Sequence, residues 1–189
     1  MRGFTLIEIL VVVAVSVIVT GSFIVYNSVS RAQVALSVEQ AKIAQLILRA
    51  KSLTISSYTQ DIGSPNIRCG YGFSVDYAGR SYSLNRYDVS SNAECDAIYT
   101  NQVGSGFGNI SEVVQLEKYF LDSNLNFQAS GTSDELEDVL FIAPDPKTFL
   151  KVVGDNSFIR GTAKIYLETK ATPPRGATVS VNSVGQVGF

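Results

Sequence analysis

The side chains with chemistry to offer fall into a few groups. Glu8 is a lone carboxylate inside the apolar run GFTLIEILVVVAVSVIV, residues 3–19. An ionised group within a membrane segment costs about 2.5–3.5 kcal/mol even on lenient insertion scales, so Glu8 asks for a partner. The plainer alternative is a hydrated carboxylate at headgroup level. Cys69 and Cys95 are the two cysteines, and no histidine occurs anywhere. The absence of histidine removes the usual Ser–His and Cys–His nucleophile pairs, no carboxylate pair sits in an apolar setting, and no catalytic residue is expected. Asp134, Glu135, Glu137 and Asp138 form an acidic cluster whose spacing is not that of an EF-hand; a solvated turn is expected, with calcium as the alternative. Two isolated cysteines do not complete a zinc shell, so no other cofactor or metal is expected. Gly104, Gly106 and Gly108 lack the Lys-Ser or Lys-Thr that completes a phosphate loop, and they read as a flexible connection.

These groups must be positioned by a helix and then a sheet. Residues 4–25 supply about 33 Å of helix, enough for one crossing of a hydrocarbon core of about 30 Å. No small-x-small cleavage pattern follows the run, so it is not an ordinary secretory signal and stays on the mature protein. Residues 26–58 contain neither Pro nor Gly, and apolar residues recur at Val34, Val38, Ala41 and Leu48, with Ile43 and Ile47 on an adjoining stripe. The helix therefore continues to about residue 60 as an amphipathic half buried against a globule. A breaker cluster, Asp61 to Pro65, ends it. Beyond it the period shifts to short alternating runs, with strands expected at 70–77, 81–87, 97–102, 113–121, 125–128, 139–143, 163–169 and 178–187. The first two form a hairpin through Ala78 and Gly79, placing Tyr71, Phe73, Val75 and Tyr77 on one face. Residues 182–185 form a turn in the last run, and Asp145 between two prolines reads as a rigid turn.

The residues Gly3, Phe4, Thr5, Leu6, Ile7 and Glu8, followed by the apolar run, resemble the start of a type IV prepilin or pseudopilin. The resemblance implies cleavage after Gly3 by a prepilin peptidase, with residues 1–3 as a leader, and N-methylation of Phe4. The leader is short for the family, with Arg2 its one charged side chain. The resemblance also implies that Glu8 pairs with the Phe4 amino group of a neighbouring subunit in a filament, so that the cost of burying the acid is offset only on assembly. Local stabilisation by the positive end of the helix dipole is available to the same carboxylate. Residues 70–84 and the terminal ATVSVNSVGQVGF look like the first hairpin and last strands of the GspH/FimT type of minor pilin.

The expected fold is therefore α+β: a long N-terminal helix, transmembrane in its first half and amphipathic in its second, packed on an antiparallel sheet domain at 61–189. The 189 residues leave about 130 for that domain, a single-domain size. Both cysteines fall in the outer part, which suits an oxidising compartment, and a 69–95 disulfide would contribute roughly 3.5 kcal/mol by loop closure, with two buried thiols as the alternative. A net charge of -2 argues against overall attraction to nucleic acid. Lys147, Lys151, Arg160, Lys164, Lys170 and Arg175 are the one loose basic cluster, and a solvated edge is expected there. The functional expectation is a subunit, minor rather than major, of a type IV pilus or type II secretion pseudopilus. It would begin as a single-pass protein of the bacterial cytoplasmic membrane with an extracytoplasmic domain and end in a surface or periplasmic filament. Its expected partners are other pilin or pseudopilin subunits, the prepilin peptidase, the inner-membrane assembly platform and lipid. The alternatives are a membrane-tethered binding module and a DNA-uptake minor pilin.

Overall fold

A computed structural model describes residues 6–57, 67–91, 95, 96, 98, 112–128, 133–143, 146–155 and 157–189, with backbone alone at 23–29 and 67. One α-helix, α1 (Leu6–Ser57), runs through 52 residues. The stretch lacks proline, and its single glycine, Gly21, does not interrupt it. Ten strands follow: β1 (Ile67–Asp76), β2 (Ser81–Val89), β3 (Glu112–Phe120), β4 (Leu125–Phe127), β5 (Leu136–Ile142), β6 (Lys147–Val152), β7 (Phe158–Ile159), β8 (Thr162–Thr169), β9 (Gly176–Asn182) and β10 (Val187–Gly188). They make two antiparallel sheets, one of six strands in the order β3-β2-β1-β5-β6-β7 and one of four in the order β10-β9-β8-β4. The architecture is α+β, and the single expected sheet is two.

The first hairpin forms as its pattern predicts. Asp76 Oδ1 accepts from Gly79 N–H at 2.8 Å, and Arg80 takes a left-handed conformation at φ 50° to close the turn. Tyr71, Phe73 and Val75 are buried beneath α1, and Tyr77 donates its hydroxyl to Leu136 O at 2.8 Å. In the last hairpin Asn182 Oδ1 accepts from Val184 N–H and Gln186 N–H, and Gly185 at φ 72° completes the turn that its sequence predicts.

The buried face of α1 differs from the expected one. Leu36, Glu39, Ile43, Leu46, Ile47, Ala50 and Thr54 face the sheets. Ile43 and Ile47 are on the core side, but Val34, Val38 and Leu48 are 63%, 47% and 51% exposed, and Ala41 is exposed with them. Both stripes have helical spacing. The sheets select the one carrying the larger continuous apolar volume between 43 and 50. β6 and β7 are also additional to the expected strands. β6 begins and nearly ends on lysine, and its apolar residues, Phe149, Leu150 and Val152, do not alternate cleanly.

The six-stranded sheet is apolar on both faces. One face packs under α1; the other holds a second cluster of Cys69, Tyr87, Val89, Ile98, Leu140, Ile142, Phe149 and Phe158. Cys95, Asp96 and Ile98 are helical, and Ile98, the one described residue of the strand expected at 97–102, is fully buried on that second face rather than extended. Burial of Ile98 and the bond from Cys95 to β1 hold this turn down on the sheet instead. The rest of that expected strand, the breaker cluster at 61–65, the glycines at 104, 106 and 108, and Asp145 lie outside the described residues.

Gly72 sits where Tyr87 crosses β1. A methyl group at Gly72 would lie 2.7 Å from the Tyr87 ring and would collide with the Val139 carbonyl oxygen. Gly72→Ala should therefore destabilise the domain by about 2–3 kcal/mol or more in chemical denaturation, through overpacking against backbone. A change below about 0.5 kcal/mol would contradict this packing.

Candidate functional site: the uncovered end of the helix

The first seventeen described positions of α1 are all exposed. Leu6, Ile7, Ile9, Leu10 and the valines that follow are each more than half exposed, and Glu8 lies among them in the first helical turn. Soluble monomers rarely expose so long an apolar surface, so this end has a partner or an apolar environment. Ser16, Thr20 and Ser22 donate their hydroxyls to carbonyls four residues back, so these polar side chains are satisfied within the helix. Among the described residues no helix is long and apolar enough to cross a membrane. The stretch 6–22 is about 25 Å long, short of a hydrocarbon core of about 30 Å. Gly3 and Phe4, the expected processing positions, lie outside the described residues. Chemically, the end offers one carboxylate acceptor on an apolar rod.

The second half of α1 ties that rod to the sheets. Glu39 is 2% exposed. It accepts the Tyr82 hydroxyl at 2.5 Å and the Lys42 ammonium at 3.1 Å, a charge buried with partners on both oxygens. Burial and the Glu39 carboxylate push the Tyr82 hydroxyl well above the usual phenol range. Tyr119 stacks on Tyr82 with ring centres 5.8 Å apart and donates to Glu117, which pairs with Arg49 at 2.7 Å. On the other flank Gln40 donates to Thr178 O and Lys51 to the carbonyls of Val184 and Gly185. Thr54 accepts from Tyr71 N–H beneath the helix. α1 is thus held by side chains to β2, β3, β9 and the last turn, and rotation about its own axis is blocked on both sides.

The remaining candidate groups resolve into structural pairs. Cys69 and Cys95 are bonded, with Cα atoms 5.4 Å apart. The four acids do not converge: Asp134 pairs with Lys164 at 2.8 Å, Glu137 with Lys151 at 2.6 Å, and Asp138 lies 4.0 Å from the same lysine. Among the described residues no group of three or more His, Cys, Asp or Glu is placed to hold a metal ion. The basic residues are dispersed. Lys147 and Lys151 belong to the six-stranded sheet, while Lys164, Lys170 and Arg175 lie on or after β8 of the other, and Lys170 donates to Ser123 O. Lys151 and Lys164 are engaged by carboxylates.

Residues 1–24 match the family model described as the prokaryotic N-terminal methylation motif. No curated protein and no solved structure matches the chain. The motif supports a type IV prepilin-like protein, one that is membrane-anchored and surface-exposed, and a structural role rather than an enzymatic one. In general it implies processing by a prepilin peptidase and assembly with other pilin subunits.

Asp138 supplies a pH dependence. Burial raises its carboxyl from 3.8 to about 6, against the opposing pull of Lys151 and of a Tyr87 hydrogen bond. The folded state therefore holds this proton more tightly than the unfolded state does. The stabilisation is complete below about pH 4 and is lost as pH rises through 6, a swing of up to about 3 kcal/mol. Asp138→Asn should be more stable than the parent at pH 7.5, with the gap closing by pH 4, in denaturation curves taken across that range. Parallel pH profiles for the two proteins would contradict the assignment.

Proposed function

We propose that the chain is a filament subunit of the type IV class, a minor subunit of a pilus or of a type II secretion pseudopilus of the GspH/FimT kind. The observation that carries this reading is the methylation motif at residues 1–24 on a helix whose apolar end the sheet domain leaves uncovered. Processing after Gly3 frees the amino group of Phe4, which is then methylated. Residues 4–25 hold the subunit in the bilayer before assembly, extending the described apolar stretch at both ends. Glu8, costly in lipid, pairs with the Phe4 amino group of a neighbour as the subunit enters the filament, so pairing gives both a driving force and a register. The Cys69–Cys95 bond supports an outer domain folded in an oxidising compartment.

The mature protein should lack residues 1–3 and carry a methyl group on Phe4, read by mass spectrometry of its N-terminal peptide. An intact Met1 in cells with an active prepilin peptidase would overturn the reading in favour of a tethered module. Glu8→Ala should insert into the membrane as well as the parent or better. Its incorporation into sheared filaments should fall by roughly tenfold, the equivalent of about 1.4 kcal/mol per subunit. Equal incorporation would remove Glu8 from the assembly contact.

A further inference from the structure

The contacts that lock α1 to the sheets also fix how far each part of the domain stands from the apolar end. With its amide oriented to satisfy both groups, Gln33 accepts from the Arg175 guanidinium. Higher up, Gln40 donates to Thr178 O, and Lys51 to the carbonyls of Val184 and Gly185. β9 therefore climbs alongside α1, and the β8–β9 connection, residues 170–175, lies at the end of the domain nearest the apolar stretch. The β3–β4 connection meets it there, where Lys170 donates its backbone N–H to Asn124 O and its ammonium to Ser123 O. Arg31, Lys170 and Arg175 are exposed and form no ion pair among the described residues. The partners named for Lys170 and Arg175 are neutral, so their charges are not cancelled. The carboxylates at this end are used within the fold: Asp76 and Asp122 each accept a backbone N–H of their own turn at 2.8 Å, and Glu168 lies on the outer face of the smaller sheet with Lys164 and Tyr166. A chain of net charge -2 thus turns a basic rim towards its apolar end.

We propose that this rim, Arg31 with Lys170 and Arg175, binds the phosphate oxygens of anionic lipid headgroups while the subunit is held in the bilayer. With residues 4–25 in the membrane, the reading on which this rests, Arg31 and Gln33 stand about 9 and 12 Å beyond the hydrocarbon at about 1.5 Å per residue. The headgroup layer takes up about 5–8 Å of that distance, and the remainder is within one Debye length of about 8 Å. Long cationic side chains reach down across such a gap. Since α1 is continuous and locked on both flanks, no hinge lifts the rim away from the surface. The phosphate found at that height is lipid phosphate, which favours headgroups over a soluble anion or a nucleic acid. The planar fork of arginine suits phosphate oxygens, and each cation held near an anionic surface adds an attraction that salt screens. Entry into a filament breaks the contact, so the rim acts before assembly.

Spin-labelled lipid tests the rim. Full-length protein is reconstituted in phosphatidylcholine vesicles carrying a trace of spin-labelled phosphatidylglycerol or spin-labelled phosphatidylcholine, and the motionally restricted fraction of each label is read by electron paramagnetic resonance. The parent should prefer the phosphatidylglycerol label roughly threefold at low salt, and molar salt should remove the preference. The double variant Lys170→Gln, Arg175→Gln should lose most of it with thermal unfolding unchanged, and adding Arg31→Gln should lower it further. Arg175→Lys should keep most of it. Lys147→Gln should keep all of it, because Lys147 pairs with Ile142 opposite Gly70, at the end of the sheet away from the first hairpin turn. Equal restriction of the two labels by the parent, an unchanged preference in the double variant, or an equal loss in Lys147→Gln would each overturn the proposal. Restriction of neither label would overturn the anchoring as well. Replacing chloride by inorganic phosphate at constant ionic strength should leave the preference intact; its loss would assign the rim to soluble phosphate and overturn the lipid contact. Retention of a DNA duplex by vesicles of the parent but not of the double variant would assign the rim to nucleic acid and overturn it too.

Discussion

One face of a single long helix is buried across two sheets, and the rest of the molecule is arranged around that burial. The apolar contribution comes from Ile43, Leu46, Ile47 and Ala50, packed on Phe73, Val139, Phe141, Ile165 and Val179. Its orientation is fixed by polar contacts: Glu39 to Tyr82, Arg49 to Glu117, Gln40 to Thr178 and Lys51 to the last turn. A buried carboxylate is tolerated there because both of its oxygens are used. Truncating Tyr82 to Phe would leave one of them without its donor, the costly kind of change at a buried site. Loops away from these contacts can therefore vary without altering where the helix points, whereas the sheet residues that make them cannot.

That constraint divides α1 into two working halves. The half beyond Leu36 belongs to the domain, and the first turns belong to whatever surrounds them. Since the helix is continuous, the domain's orientation is transmitted to the apolar end without a hinge, and a contact made at Glu8 is felt as a position of the sheets. The second apolar cluster, on the far face of the six-stranded sheet, is closed by the turn at Cys95 to Ile98 and locked by the bond to Cys69. Loop closure across 26 residues gives that lock roughly 3.5 kcal/mol in the chain-entropy account. Both faces of the larger sheet are thereby covered, and its unprotected feature among the described residues is the edge at β3.

Much of this was legible in the sequence, for identifiable reasons. The break between a 3.6-residue and a two-residue period separated helix from sheet. Asp76 with Gly79, and Asn182 with Gly185, marked the two tight hairpins because their side chains and conformations carry the turn chemistry locally. The face of α1 was not legible, since Val34, Val38, Ala41 and Leu48 recur as regularly as the residues that are buried, and tertiary packing decides between them. Glu39 gave no signal, because a glutamate with a lysine three residues on reads as a solvated helix pair until Tyr82 is placed beside it. β6 was hidden by Lys147 and Lys151, and the carboxylate partners of Lys151, Glu137 and Asp138, arrive only when β5 and β6 align. The acidic cluster was visible as a cluster, but its division between Lys151 and Lys164 depends on two different sheets. At the N-terminus the motif itself was the signal, and residues 1–24 carry it independently of the fold.

α1 has one end covered by an apolar environment and another presenting its outer stripe to water. Cysteine-substitution labelling in intact membranes tests it most directly, because the native cysteines are bonded to each other and do not react. Single cysteines at Ile7, Val12 and Val17 should be protected from a charged thiol reagent, and those at Val34, Val38 and Leu48 should be labelled in protein that has not yet assembled. Labelling of equal rate along both sets would contradict this division of the helix.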